Sequence, residues 1–274
     1  MKVAVLQMTS GPDMEENFEQ VSRLAREAAG KGATFIATPE VTDQVIAKRA
    51  EKIAQHFTPE DHPGMTYFAE LAKELGVWLL IGSMCMRVSE DKLANRSVLF
   101  TPQGNVKATY DKIHLFDVDL PNGETYRESD SFQAGTESVL TEVGGHKLGM
   151  TICYDMRFPH IYRDLGKAGA DIITVPAAFT VPTGEAHWHS LLRARAIETG
   201  AFVIAPAQVG DHAGIRKTYG HSLIIDPWGI ILAEAEQDRP CMIMADLDFA
   251  LVDKARRAVP SLRHDRDYVE ILKN

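Results

Sequence analysis

Short apolar runs alternate with longer amphipathic ones along the whole 274-residue chain. The run 2–8 has the composition of a buried strand, and 15–29 follows with apolar residues at helical spacing until Gly30. The next short apolar runs, 33–37 and 77–82, are also predicted to be strands. This order of strand, helix and strand is typical of an α/β fold with parallel strands.

The second half of the chain repeats this order. Strands are predicted at 147–152, 171–175, 201–205, 222–225 and 242–246, and a hairpin at 97–101 and 106–110. Further helices are predicted up to residue 57 and at 65–75, 159–167, 187–199 and 249–257. About a dozen strands are more than one open sheet usually holds, which favours two sheets. No linker or internal repeat is visible, so we expect one domain over 1–274.

The charge balance excludes some classes of partner. The chain has 29 Lys and Arg against 38 Asp and Glu, a net charge of −9, whereas nucleic acid and anionic membranes select for basic surfaces. No apolar run reaches the length of a membrane span, and no signal peptide is predicted. The cysteines, Cys85, Cys153 and Cys241, form neither a Cys-x-x-Cys pair nor a disulfide framework. A reducing cytoplasm is the expected location.

Three reactive side chains follow predicted strands. Glu40 comes three residues after 33–37, Lys112 comes shortly after 106–110, and Cys153 comes directly after 147–152. Because catalytic groups of α/β sheets gather at the carboxyl ends of strands, these positions suggest one common site.

The strongest local signal surrounds Cys153, which lies between a predicted strand and a helix whose first turn has Pro159. Such a turn presents a nucleophile and offers backbone N–H groups to an oxyanion. A lysine ammonium can stabilise the thiolate, and a carboxylate can act as general base. The alternative is that Cys153 is a small buried hydrophobe, which is the commoner role of a free cysteine and the one favoured for Cys85 and Cys241. Taken singly, Glu40 and Lys112 are more commonly solvated surface groups.

Three segments resemble the nitrilase, or carbon–nitrogen hydrolase, superfamily. They are 35–40, 110–116 and 149–159, which resemble in the family's order the segments carrying its catalytic glutamate, lysine and cysteine. Further similarity, to the Nit branch that includes deaminated-glutathione amidases and ω-amidases, covers most of the chain through 186–198, 219–222 and 226–229. Thr38 stands where relatives often have Leu or Phe, and the loop 120–127 also departs from the pattern.

The resemblance implies a four-layer α-β-β-α sandwich of two mixed sheets, assembled as a homodimer or a larger even-numbered oligomer. It implies no cofactor and no metal. It assigns catalysis to Glu40, Lys112 and Cys153, with a further glutamate at Glu128, which is favoured over Glu124.

The implied reaction is hydrolysis of a small carboxylate-bearing amide through a cysteine thioester, with release of ammonia. The amide would belong to an α-keto acid or to deaminated glutathione; a nitrilase or an N-carbamoyl amino acid amidohydrolase is the alternative. Tyr154 would offer its backbone N–H to the oxyanion. Arg157 would bind the carboxylate or form a structural ion pair with Asp155, and Phe179 would line the pocket or pack in the core.

Three other readings are weaker. A serine hydrolase motif at 220–224 lacks its final glycine. A metal site at His187 and His189 is disfavoured because side chains two positions apart on a helix diverge. An inactive binding protein of the same fold is disfavoured because all three triad residues are present.

Overall fold

Sixteen strands and five α-helices are present in the described residues of this computed structural model, which are 1–46, 53, 56–236 and 238–267. The strands are β1 (Lys2–Gln7), β2 (Phe35–Ala37), β3 (Trp78–Arg87), β4 (Leu93–Phe100), β5 (Val106–Asp111), β6 (Asp117–Asp119), β7 (Thr125–Arg127), β8 (Val139–Val143), β9 (His146–Met150), β10 (Ile172–Thr174), β11 (Phe202–Ala205), β12 (Val209–Asp211), β13 (Lys217–Tyr219), β14 (Leu223–Ile225), β15 (Ile231–Glu234) and β16 (Cys241–Asp246). The helices are α1 (Met14–Gly30), α2 (Pro63–Leu75), α3 (Pro159–Lys167), α4 (Val181–Thr199) and α5 (Ala250–Ala258).

Two six-stranded mixed sheets form the centre of the fold. Their strand orders are β16-β1-β2-β3-β4-β5 and β15-β14-β11-β10-β9-β8. The inner strands β1, β2 and β3 are parallel, as are β9, β10 and β11, and antiparallel strands extend both sheets. In each sheet the parallel strands point their carboxyl ends in one direction, which is where the functional loops emerge.

The alternation of side chains along β1 shows how the layers are packed. Val3 and Val5 face the second sheet and share one core with α3 and α4. Ala4 and Leu6 face the other way and pack with α1 and α2. The order of layers is therefore helices, sheet, sheet, helices, and the predicted α-β-β-α sandwich of two mixed sheets is confirmed.

The predicted elements are present, with shifted ends. Helix α4 begins at Val181, six residues before the predicted start. Pro182 fits in its first turn because the backbone N–H groups there have no intrahelical partner. The strand predicted at 147–152 ends at Met150. Two small hairpins, β6–β7 and β12–β13, were not predicted, since strands of three residues carry no periodicity. The helix predicted up to residue 57 lies largely outside the described residues.

In the described part of the chain, no helix is long and apolar enough to cross a membrane.

Candidate active site

Glu40, Lys112 and Cys153 meet at the end of the two sheets where the parallel strands finish. Glu40 follows β2, Lys112 follows β5 on the same sheet, and Cys153 follows β9 on the other sheet. The Lys112 Nζ atom lies 2.8 Å from Glu40 Oε1, although 72 positions separate the two residues. All three side chains line one cavity of about 570 Å³.

The lysine is held by a second carboxylate, that of Glu128. The Lys112 Nζ atom donates to Glu128 Oε2 at 2.8 Å and to Oε1 at 3.1 Å. Glu128 Oε2 also accepts the Phe116 backbone N–H at 2.6 Å. Glu124 is exposed and accepts from the hydroxyl of Tyr126 instead. Of the two competing glutamates, the structure therefore places Glu128 beside the lysine.

Both oxygens of the Glu40 carboxylate accept hydrogen bonds. Oε1 accepts from Lys112 and from Asn95 Nδ2 at 2.9 Å, and Oε2 accepts the Ala178 backbone N–H at 2.8 Å. Burial raises the pKa of this carboxyl, but the charge and hydrogen bond of Lys112 outweigh burial and leave the pKa below its usual value. The carboxylate is therefore ionised and fixed in orientation.

Cys153 lies at a strained turn. Its φ of 46° is in the left-handed region, which is uncommon for residues other than glycine and is often found at functional sites. Its backbone N–H donates to Pro176 O at 2.9 Å. Burial and the Glu40 carboxylate raise the pKa of the thiol well above its usual value, while Lys112 acts in the opposite direction. At rest the site therefore combines a neutral thiol with an ionised carboxylate and an ammonium.

A buried aspartate connects the two sheets behind the cysteine. Asp155 accepts the hydroxyl of Tyr110 at 2.7 Å, the ring of His114 at 2.7 Å and the backbone N–H of Ile152 at 2.8 Å. Tyr110 belongs to β5, the strand that leads to Lys112. Asp155 thus ties the cysteine turn to the lysine loop, and Arg157 is not its partner.

A glycine sets the spacing between the glutamate loop and the other sheet. A Cβ atom on Gly82 of β3 would lie 2.0 Å from Thr38 O, 2.4 Å from Pro39 O and 2.5 Å from the Cβ of Pro176. The Thr38 hydroxyl accepts the backbone N–H of Gly82 at 2.9 Å and also contacts the hydroxyl of Thr42. The threonine that departs from the family pattern therefore holds the glutamate loop through its hydroxyl.

The predicted substrate-binding residues take different positions. Phe179 is buried and lines the cavity. The Arg157 guanidinium lies 5.3 Å from the centre of the Phe179 ring and 5.8 Å from that of Tyr154, and it contacts His187 Nδ1 at 3.3 Å. Arg157 and Tyr154 are not among the residues whose side chains line the cavity.

Several site groups were not predicted from the sequence. Asn95 bridges Glu40 and Glu128, and the Ala178 backbone N–H orients Glu40. Arg216 also lines the cavity. Asn95 lies in β4 and Arg216 in a hairpin loop, positions where polar residues are ordinary, so no local pattern marks them.

The contacts support neither Ser222 as a nucleophile nor His187 and His189 as a shared pair of metal ligands. Ser222 is buried and bonded to the Gln7 side chain, with its hydroxyl accepting the Ala207 backbone N–H. His187 contacts Arg157, whereas His189 donates to Glu234, so the two histidines diverge.

A thiol, a carboxylate and an ammonium at the common end of two sheets are the groups that a cysteine-dependent hydrolase uses. Residues 2–257 match the carbon–nitrogen hydrolase family, and the chain belongs to this family. It is thus an enzyme that hydrolyses carbon–nitrogen bonds of amides.

Curated relatives and solved structures agree with this assignment. The chain is 40% identical to a deaminated glutathione amidase of Yersinia enterocolitica, over 96% of this chain and 92% of the relative. It is 41% identical to the deaminated glutathione amidase of Homo sapiens, over 96% and 82%. It is similar to the structure of Nit3 from Saccharomyces cerevisiae, a member of branch 10 of the nitrilase superfamily, with a TM-score of 0.86, 27% identity and 96% of both chains covered.

An amidase from Nesterenkonia sp. AN1 is also similar, with a TM-score of 0.80, 25% identity and 94% of both chains covered. In that structure, of a mutant enzyme, the acetamide moiety of fluoroacetamide is covalently attached to the active-site cysteine.

Proposed function

We propose that this enzyme hydrolyses a small amide whose acyl group carries a carboxylate, through a thioester on Cys153. The substrate class is the ω-amide of an α-keto acid or deaminated glutathione. The observation that carries the proposal is the contact of Lys112 with Glu40 in the cavity that also contains Cys153. Relatives about 40% identical that are named deaminated glutathione amidases support the choice of substrate.

The first step is attack of the thiol on the amide carbonyl. Because the thiol is neutral at rest, its proton passes to Glu40 as the S–C bond forms. Lys112 and the backbone N–H of Tyr154 stabilise the oxyanion, and each good donor contributes about 3–4 kcal/mol. Glu128 positions Lys112 for this role through its hydrogen bonds to Nζ.

Collapse of the tetrahedral intermediate breaks the C–N bond. Glu40 returns its proton to the departing nitrogen, which leaves as ammonia from a primary amide or as the amino group of cysteinylglycine from deaminated glutathione. Glu40 then takes a proton from water, the hydroxide attacks the thioester, and the free acid leaves as the thiol is restored.

A substrate panel tests the proposal. We expect the highest kcat/KM for 2-oxoglutaramate or deaminated glutathione, and lower values for N-carbamoyl-β-alanine and for a nitrile of matched length. Ammonia and 2-oxoglutarate release are the measurements. Faster turnover of the nitrile or of the carbamoyl compound would overturn the proposed substrate class.

We also propose that the chain acts as a single domain in the cytoplasm and pairs as a homodimer. An exposed apolar surface supports pairing: Ile197 of α4, Trp228 and Val259 line one groove, and their exposed fractions are 55%, 57% and 57%. Ile230, beside Trp228, is 55% exposed. Apolar patches of this kind mark protein–protein contacts. The cysteines, all without disulfides, fit a reducing compartment.

The dimer is tested by light scattering at micromolar concentration. We expect a mass of at least twice the 30.3 kDa of one chain. Trp228→Glu should shift the mass toward one chain, because it buries a charge in the interface. Val106→Glu, which changes an exposed valine of β5 away from this groove, is the matched control. A wild-type mass of one chain across a dilution series would contradict the proposal.

A further inference from the structure

Among the residues that the structure describes, three cationic side chains line the cavity that contains the triad, and two of them are neutralised. Lys112 is bound by two carboxylates, those of Glu40 and Glu128. Arg127 forms two hydrogen bonds with the carboxylate of Asp119, at 2.8 and 3.0 Å. The third cation is Arg216.

Arg216 differs from the others because no carboxylate pairs with it anywhere in the residues that the structure describes. Its Nε atom is buried and has no hydrogen-bond partner there. Leaving a buried donor unsatisfied is costly, and the cost is largest for a charged group. An unpaired guanidinium on a cavity wall is suited to bind an anion, to which it would donate hydrogen bonds.

The loop that carries Arg216 is rigidly held. It connects β12 and β13, and it is closed by a hydrogen bond from the His212 N–H to the Arg216 carbonyl. The buried ring of His212 fixes its base, with Nδ1 2.8 Å from Ser10 O and Nε2 2.7 Å from the hydroxyl of Thr218. The backbone position from which Arg216 extends is thereby preorganised, which lowers the entropic cost of ordering the loop on binding.

The same hairpin is attached to the segment beside the reacting groups. The Tyr219 N–H donates to Phe179 O at 2.9 Å, and Thr218 forms a β-bridge with Thr180. Ala178, which orients Glu40, lies immediately before Phe179. The charge of Arg216 also acts on the Glu40 carboxyl and contributes to its lowered pKa. The hairpin that carries Arg216 is therefore bonded to the segment that orients Glu40, and Arg216 lines the same cavity as the triad.

We propose that Arg216 forms an anion subsite of the catalytic cavity, which binds the carboxylate of the substrate's acyl group. This proposal rests on the proposed function and names the residue that selects the substrate. Without Arg216, Glu40 and Glu128 would give the cavity more negative than positive charge near Lys112, and an incoming carboxylate would be repelled. Guanidinium–carboxylate pairing orients the acyl chain toward Cys153.

The sequence-based prediction assigned this role to Arg157, so the two arginines compete. Arg157 does not line the cavity. Its guanidinium stacks over the ring of Phe179 and contacts His187. Arg216 lies on the cavity wall itself. The two assignments predict different results for the two single substitutions.

The experiment compares glutaric acid monoamide with pentanamide, its neutral analogue of equal length. The measurement is the ratio of the two kcat/KM values. Arg216→Gln should lower this ratio by at least about 30-fold, mainly through KM for the monoamide, because a buried charge-assisted contact is lost. Arg216→Lys keeps the positive charge but cannot bind both carboxylate oxygens as a guanidinium does. Its ratio should therefore fall between those of the wild type and the glutamine variant.

Two matched variants serve as controls. Arg127→Gln removes the cavity arginine that is already paired with Asp119, and Arg157→Gln tests the competing assignment; both should leave the ratio within about threefold of wild type. A drop with Arg157→Gln but not Arg216→Gln would overturn the proposal, and so would an equal loss on both amides with Arg216→Gln. A drop for deaminated glutathione alone would also overturn it, since the anion would then belong to the leaving group.

Failure of the proposed function is distinguishable from failure of this subsite. If the wild-type enzyme also fails to hydrolyse 2-oxoglutaramate and deaminated glutathione, the function proposal is wrong. Whenever it hydrolyses neither amide of the pair, the subsite is measured with glutarate alone by titration calorimetry. Weaker glutarate binding by Arg216→Gln than by the wild type would still support the subsite, whereas equal binding would reject it.

Discussion

Replacing Cys153 with alanine is expected to abolish amide hydrolysis, lowering kcat by about 10⁴-fold or more, because the thioester cannot form. Cys153→Ser should retain little activity. Incubation of the wild-type enzyme with substrate, followed by intact-mass measurement, should show one acyl group on Cys153. The readouts are product release and the mass of the adduct.

Two checks separate chemistry from folding in this experiment. The side chain removed is small and buried, so the melting temperature of Cys153→Ala should change by only a few degrees. Cys241→Ala is the matched control, since Cys241 lies in β16, the edge strand of the first sheet, and should retain most activity. Substantial turnover by Cys153→Ala would show that the thiol of Cys153 is not required, and the proposed mechanism would be rejected.

Replacing Glu40 with glutamine is expected to lower kcat by about 10³-fold or more, because both half-reactions lose their general base. The structure predicts a second effect. Every partner of the carboxylate is a donor, so the new amide group must direct its NH₂ toward either Lys112 and Asn95 or the Ala178 N–H. This conflict should also lower the melting temperature.

The matched control for this variant is Glu124→Gln. Glu124 is an exposed carboxylate of the same rim that does not contact Lys112, and its replacement should change kcat by no more than about threefold. Near-normal turnover by Glu40→Gln would show that another group takes the thiol proton, and the proposed mechanism would then be rejected.

Periodicity and strand count predicted an α/β fold with two sheets, and the family resemblance added the α-β-β-α order of layers. The ends of elements were less predictable. Helix α4 begins six residues early because its first turn, with Pro182, lacks the apolar spacing that marks its later part. The strand before Cys153 ends at Met150. The Thr151 N–H still donates to Thr174 O of β10, but the Ile152 N–H donates to the Asp155 carboxylate instead of the neighbouring strand.

The triad positions followed from motifs, but the groups that tune them did not. Asn95 is a buried amide in β4 whose importance depends on the position of Glu40, 55 residues away along the chain. Arg216 differs from Arg127 through its surroundings. Arg127 pairs with both oxygens of Asp119, whereas Arg216 pairs with no carboxylate among the described residues. Such partnerships arise from long-range packing, so a pattern of neighbouring residues does not encode them.

The spacing that Gly82 imposes limits how this enzyme can diverge. Since any Cβ at that position would press on the carbonyls of Thr38 and Pro39 and on Pro176, a larger residue would push the loop of Glu40 away from the segment after β10, whose Pro176 carbonyl accepts the Cys153 N–H. The position of the Glu40 loop against the second sheet is thus set by close backbone packing. Change is easier in the largely exposed 120–127 loop than in the hairpin of Arg216, which is hydrogen-bonded to Phe179 next to the residue that orients Glu40. Substrate range and catalytic chemistry can then evolve on separate parts of one wall.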